Sequence, residues 1–184
     1  MNAYIEEINM GNEAPFIVVI FERTLPLVQP SNIDEKYIQL PPGFPYADEI
    51  HDVDFTKIVE ENIFDTIDIE YLKAQLSSID IPYNERPFIL LDSSRLILPL
   101  MTELEYRDFF SISKNSYDSW ELYSSKYNGC YLSFSNPLFN KDKSKVYFQT
   151  YQMCARLYGH GEVVVMEKQN NTWKIVYRKE TWIS

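Results

Sequence analysis

The stretch from Cys130 to Ser184 narrows what this sequence can fold into more than any other part of the chain. Val146, Phe148 and Thr150 alternate with Tyr147, Gln149 and Tyr151, a period of two that sends successive side chains to opposite faces of a strand. After Gly159-His160-Gly161, which reads as a turn, comes the apolar run Val163 to Met166, then Gln169-Asn170-Asn171, then Thr172 to Arg178. In the last of these, Trp173, Ile175 and Tyr177 share one face and Lys174 and Arg178 the other. Asn tolerates the positive φ of a tight two-residue turn, so the Asn pair between β-branched and aromatic runs predicts a hairpin. With Tyr131 to Ser135 in front, the region predicts a meander of about four antiparallel strands, enough to bury one face. Trp173, Ile175, Val146 and Phe148 are the expected core.

The run Ser135-Asn136-Pro137-Leu138-Phe139-Asn140 is followed by Lys145-Val146-Tyr147, Gly159-His160-Gly161, Trp173-Lys174-Ile175-Val176 and the closing Trp182-Ile183-Ser184. Together these residues resemble the C-terminal signature of a family of uncharacterised bacterial proteins. In outline they are also similar to the closing meander of NTF2-like (cystatin-like) α+β domains, where a short turn precedes a final strand opening on Trp, Lys, Ile and Val. The likeness covers roughly the last third of the chain. It implies an α+β fold and, on the NTF2-like side, a cavity between sheet and helices. It lends no catalytic residue.

Upstream, Pro15 to Phe21 is an apolar run of strand length, read as a strand buried on both faces. Pro26, Pro30, Pro41, Pro42, Gly43 and Pro45 disfavour regular structure over 26–50, although Tyr37, Ile38, Leu40, Phe44 and Tyr46 argue that this loop packs on the body. Helical spacing of Phe55, Ile58, Val59 and Ile63 predicts a helix capped by Asp54, and Asp68 opens a second one carrying Ile69, Leu72, Leu76 and Ile79. Pro82 to Pro87 ends this layer. Phe88 to Leu91 and Leu96 to Leu98 predict a further hairpin. Tyr117, Trp120, Tyr123 and Tyr127 place a last helix over Ser116 to Tyr127, stopped by Asn128-Gly129 and laid on the sheet. The expected architecture is a single α+β domain over 1–184: an antiparallel sheet, with the meander of 130–184 at its centre, packed against a few short helices.

The inventory of reactive groups is short. His51 and His160 are the two histidines, and Cys130 and Cys154 the two cysteines. None has zinc-ligand spacing. The cysteines are expected as buried thiols, a cross-strand disulfide being the alternative if their strands are neighbours. Cys154 and His160 have no visible activating partner, and Gly159-His160-Gly161 lacks the helix start and further glycines of a phosphate loop. Asp52 and Asp54 lack the other ligands of a calcium loop. No catalytic residue, metal or cofactor is expected. The aromatic stripe at Tyr117 to Tyr127 is read as packing, with a ligand pocket as the alternative. No apolar run has the roughly 18 residues needed to span a bilayer. The first residues lack the features of a secretory signal, so a soluble, cytoplasmic protein is expected, or an extracytoplasmic one if a leader has been removed.

Charge is distributed unevenly. Residues 1–100 carry 18 acidic and 6 basic side chains, a formal charge of −12, and 101–184 carry 9 and 11, a charge of +2. Within 48–70 the acidic Asp48, Glu49, Asp52, Asp54, Glu60, Glu61, Asp65, Asp68 and Glu70 are opposed by Lys57 alone. A net charge of −10 disfavours nucleic acid as a partner, and Lys141, Lys143 and Lys145 read as a solvated turn. The plain interpretation is a surface that keeps the protein in solution. The specific one is a non-catalytic protein whose acidic segment docks a basic protein, as an inhibitor or immunity protein docks a nuclease or another cationic toxin, opposite potentials speeding encounter. The alternative is an NTF2-like small-molecule binder or enzyme with its pocket between sheet and helices.

Overall fold

The computed structural model of the 184-residue chain describes residues 1–10, 17–21, 53, 55–76, 91, 92, 94, 96, 98–110, 116–155 and 158–183. In chain order they form α1 (Asn2–Met10), β1 (Ile17–Phe21), α2 (Phe55–Glu60), α3 (Thr66–Lys73), β2 (Leu100–Met101), α4 (Glu103–Phe109) and α5 (Ser116–Lys126). Then follow β3 (Cys130–Phe134), β4 (Leu138–Phe139), β5 (Lys145–Ala155), β6 (Tyr158–Gln169) and β7 (Thr172–Ile183). The fold is α+β. One mostly antiparallel sheet runs in the order β2-β1-β3-β5-β6-β7, and β4 extends the β3 side of β5.

The alternating segments become the long strands β5, β6 and β7, and Asn170 and Asn171 turn between the last two at φ 51° and 64°, the left-handed values that Asn accepts. Gly159-His160-Gly161 is not a turn. It lies inside β6, with Gly159, His160 and Gly161 opposite Met153, Gln152 and Tyr151 of β5, and His160 and Gly161 opposite Ile183 and Trp182 of β7. Strands on both edges hold Gly161 extended, and β5 holds Gly159. The β6/β7 register slips just after them, between Gly161 and Glu162, which is where a strand glycine commonly marks a bulge.

The sheet is mixed, because β1 runs parallel to both β2 and β3. Its Val19 and Ile20 are wholly buried on opposite faces, as the uninterrupted apolar run requires. On one face, Val19, Met101, Tyr131, Tyr147, Tyr151, Met153 and Val165 meet the helical layer of α2 to α5 through Ile58, Leu72, Tyr106, Phe109 and Tyr123. On the other, Ile20, Leu132, Phe134, Val146, Phe148, Val164 and Met166 meet Tyr4 and Ile5 of α1, with Leu91, Leu96 and Leu98 alongside. Val146 and Phe148 are therefore core. Trp173 and Ile175 are half-buried on the α1 face.

Tyr177 does not share their face. Met166 pairs with Ile175 and Val165 with Tyr177, so Val176 bulges out of register, and one extra residue reverses the alternation beyond it. Tyr177 turns to the helical face and Arg178 to the α1 face. The cysteines also depart from expectation. The β3/β5 register runs Tyr131↔Met153, and one further step sets Cys130 opposite Cys154, whose sulfurs are bonded in a disulfide.

Of the predicted helices, α2 and α5 begin at Phe55 and Ser116 as expected, α3 begins elsewhere, and α1 and α4 are additional. Asp65, not Asp68, occupies the N-cap of α3, in extended conformation at φ −69° and ψ 148°. In α4, Thr102 Oγ1 accepts from the Glu105 N–H at 3.2 Å while Glu105 Oε2 accepts from the Thr102 N–H at 2.9 Å. This reciprocal pair is a capping box. Leu96 and Leu98 lie outside any strand, and the strand comes later, at β2. The segment 26–50, Asp54 as a cap, Ile79, the turn at 82–87 and Phe88 to Leu90 fall outside the described residues.

Candidate docking surface

The acidic segment is presented by α2, α3 and the turn between them. Ile58, Ile69 and Leu72 point into the core, which obliges the opposite sides of both helices to face solvent. The connecting turn uses Asn62 at φ 54°, and its Ile63 carbonyl accepts from Lys145 Nζ at 3.0 Å. Ile63 and Phe64 are buried. Glu60, Glu61, Asp65 and Glu70 are exposed. Asp68 is not, being 9% exposed, and its Oδ1 accepts from the Lys141 backbone N–H at 3.2 Å. That carboxylate fastens α3 to the β4–β5 turn and does not belong to the surface. Asp48, Glu49, Asp52 and Asp54 lie outside the described residues, as does His51.

Intramolecular lysines touch part of this surface. Lys73 Nζ lies 2.8 Å from Glu70 Oε1 and Lys179 Nζ 3.7 Å from Glu61 Oε1. Both pairs are solvent-exposed, where an ion pair contributes only about 0–1 kcal/mol, so either carboxylate can exchange its lysine for a partner's at small cost. Just past α3, the Gln75 side chain holds the assembly to the sheet. Its Nε2 donates to the Phe139 carbonyl at 2.7 Å and its Oε1 accepts from the Phe139 N–H at 3.0 Å. The same helix carries Ile67 and Tyr71 on its exposed side. Their four-residue spacing was visible in the sequence, but only the observed direction of α3 shows that they point outward.

A second concentration of ionisable groups lies on the α1 face and was not anticipated. Glu162, 7% exposed, accepts from the Tyr4 hydroxyl at 3.0 Å through Oε2, and from Arg178 Nε at 2.8 Å through both oxygens. Arg178 Nη2 approaches Oε1 at 2.7 Å, and His160 Nε2 stands 3.8 Å from the same oxygen. Tyr4 also lies 3.1 Å from Thr150 Oγ1. Burial, then the neighbouring Glu162 charge, pushes the Tyr4 phenol well above its ordinary value, so it remains a donor. These contacts pin α1 to β5, β6 and β7. Cys154 and His160 form no thiol–imidazole pair, since the Cys154 sulfur is bonded to Cys130. Among the described residues no group of three or more His, Cys, Asp or Glu is arranged to hold a metal, and no helix is long and apolar enough to cross a membrane.

The aromatic stripe of α5 packs as helix on sheet. Tyr123 is fully buried, edge-on to Phe109 and Trp120 at centroid distances of 5.8 Å and 5.4 Å, and Trp120 and Tyr127 are half-buried beside it. The Tyr117 side chain lies outside the described set. Among the described residues the Tyr123 hydroxyl has no hydrogen-bond partner. Burial, then Tyr131 and Tyr127, raises its pKa far above the ordinary phenol value. An unsatisfied buried hydroxyl costs about 1–3 kcal/mol, so Tyr123→Phe should leave the protein as stable or more stable by about 1 kcal/mol in urea unfolding. A loss of stability in that variant would mean that the hydroxyl has a partner. In comparison with known proteins, the chain has no matching family model, no significantly matching curated protein and no significantly matching solved structure.

Proposed function

We propose that this is a non-catalytic binding protein that engages a basic protein through the acidic side of α2 and α3, in the manner of an inhibitor or immunity protein. The observation that carries this reading is the division of labour within the two helices. Ile58, Ile69 and Leu72 hold them to the sheet while Glu60, Glu61, Asp65 and Glu70 stand in solvent. The acidic charge sits on a firm base and contributes little to folding, so it is available for steering and partner choice. Along the chain, residues 1–100 carry −12 and residues 101–184 carry +2, so the acidic excess lies in the same stretch as these two helices.

The test is a capture experiment with a built-in control. Immobilised protein is exposed to an extract of its host, retained proteins are eluted with salt and identified, and the capture is repeated with Glu60→Gln, Glu61→Gln, Asp65→Asn and Glu70→Gln combined. Surface changes of this kind should alter unfolding stability by no more than about 0.5 kcal/mol each. A specific retained protein should be basic, should elute as the Debye length falls below about 10 Å, and should be lost on the combined variant. Retention of the same proteins by both forms, insensitive to salt, would remove this reading.

A second reading draws on one observation, the Tyr123 hydroxyl between sheet and helices, which has no hydrogen-bond partner among the described residues. A small molecule bound there, as in the cavities of NTF2-like domains, would supply its missing acceptor. A compound that raises the melting temperature of the wild type but not of Tyr123→Phe would favour it.

A further inference from the structure

We infer that Ile67 and Tyr71 on α3 are the anchors of this docking surface, inserting into an apolar cleft of the basic partner whose rim carries Lys or Arg. This assignment rests on the docking reading and adds to it the partner's surface chemistry and the residues that hold the complex once formed.

Over Thr66–Lys73, Ile69 and Leu72 are 8% and 0% exposed, whereas Ile67 is 78% exposed and Tyr71 41%. Residues four apart are neighbours on a helix surface, so Ile67 and Tyr71 form one apolar patch on the side facing away from the sheet. A single exposed apolar side chain is ordinary. Here two large ones adjoin, with the exposed carboxylates of Asp65 and Glu70 on the same short helix and its cap. An apolar centre with a charged rim is the anatomy of a specific interface, and Tyr is among the residues that dominate binding energy.

The patch is also held in place. Gln75 pairs with both backbone groups of Phe139 and Asp68 accepts from the Lys141 N–H, so binding need not order the helix first, which lowers the entropic cost of association. Charge selects the occupant. A second copy meeting α3 against α3 would bring like carboxylates together, and an acidic protein or anionic membrane surface would be repelled. A basic surface gains from every rim contact. The carboxylates then govern the association rate and its salt dependence, and the two anchors govern dissociation.

The test uses a random peptide display library selected on the immobilised wild-type chain, with kinetics measured for the tightest selected peptide. That peptide should be net positive and contain apolar residues. On the double variant Ile67→Ala, Tyr71→Ala its dissociation rate should rise about tenfold or more, with the association rate within about twofold, as for loss of a central anchor. On the combined Glu60, Glu61, Asp65 and Glu70 amide variant the association rate should fall and dissociation change little. Unchanged dissociation from the double variant overturns the anchor assignment. If binding still responds to the amide variant and to salt, the broader docking reading survives that failure. Selection of only neutral or acidic peptides, or of none that depends on α3, overturns both. Wild-type dimerisation abolished by the double variant would assign the patch to a second copy and also overturn the proposal.

Discussion

Replacing Cys130 and Cys154 together with Ser should lower the unfolding free energy by about 3.5 kcal/mol. The two residues are 24 apart in sequence and covalently joined, and closing a loop of that length in the unfolded chain restricts its entropy by about this amount. Location adds to the effect. Cys130 begins β3, lies opposite Ile17 of β1 and is tied to Cys154 near the end of β5, so the bond sits where the parallel and antiparallel parts of the sheet join. Native oxidised protein should show no reactive thiol, and reduction in denaturant should release two. A double variant within about 1 kcal/mol of the wild type would indicate that the constraint is absent in solution. Because a disulfide persists in an oxidising compartment and is reduced in the cytosol, the protein's stability is tied to where it resides.

Tyr4→Ala should cost about 3–5 kcal/mol, the penalty for emptying a buried aromatic site. Tyr4 is 1% exposed and stands edge-on to Phe134 and Phe148 at 5.9 Å and 5.6 Å. Tyr4→Phe keeps those contacts but takes a donor from buried Glu162, which should cost about 1–3 kcal/mol. If the two variants were equally stable, packing would contribute nothing and the docking of α1 would need another cause. The phenol supplies an independent signature. Its pKa is raised on folding, so the stabilisation is intact below pH 10, its ordinary value, and declines as pH rises above it, when the unfolded chain ionises first. Tyr4→Phe should flatten that alkaline decline.

How far this fold can be read from its residues is clearest at β7. Alternation from Trp173 onward announces a strand, and Asn170-Asn171 announces the turn before it, because both signals are local. The bulge at Val176 is set by pairing with β6, so nothing within the segment reveals it. Just beyond it Tyr177 and Arg178 face opposite to expectation, and the Arg178–Glu162 contact became visible only with the structure. Direction was hidden for the same reason. Ile17 to Phe21 is apolar enough to be buried on both sides, but its parallel pairing depends on β2 and β3. The α4 capping box, by contrast, stands in the sequence as Thr102-Glu103-Leu104-Glu105 and was readable. In the acidic segment, residue type and spacing pointed to the exposed Glu60, Glu61, Asp65 and Glu70, whereas the inward turn of Asp68 depends on Lys141, far along the chain.

The amide of Gln75 offers the outer edge of β4 the donor and acceptor that a neighbouring strand would otherwise provide. Sheets usually protect such an edge with charge, a bulge or a covering element. Here one side chain, 64 positions away in sequence, serves as a lid over two backbone groups, and it hangs from the end of the helix that carries the proposed docking patch. A force that lifts α3 from the sheet therefore also unmasks a site for strand addition. Another strand approaching β4 at Phe139 would therefore have to displace this amide first.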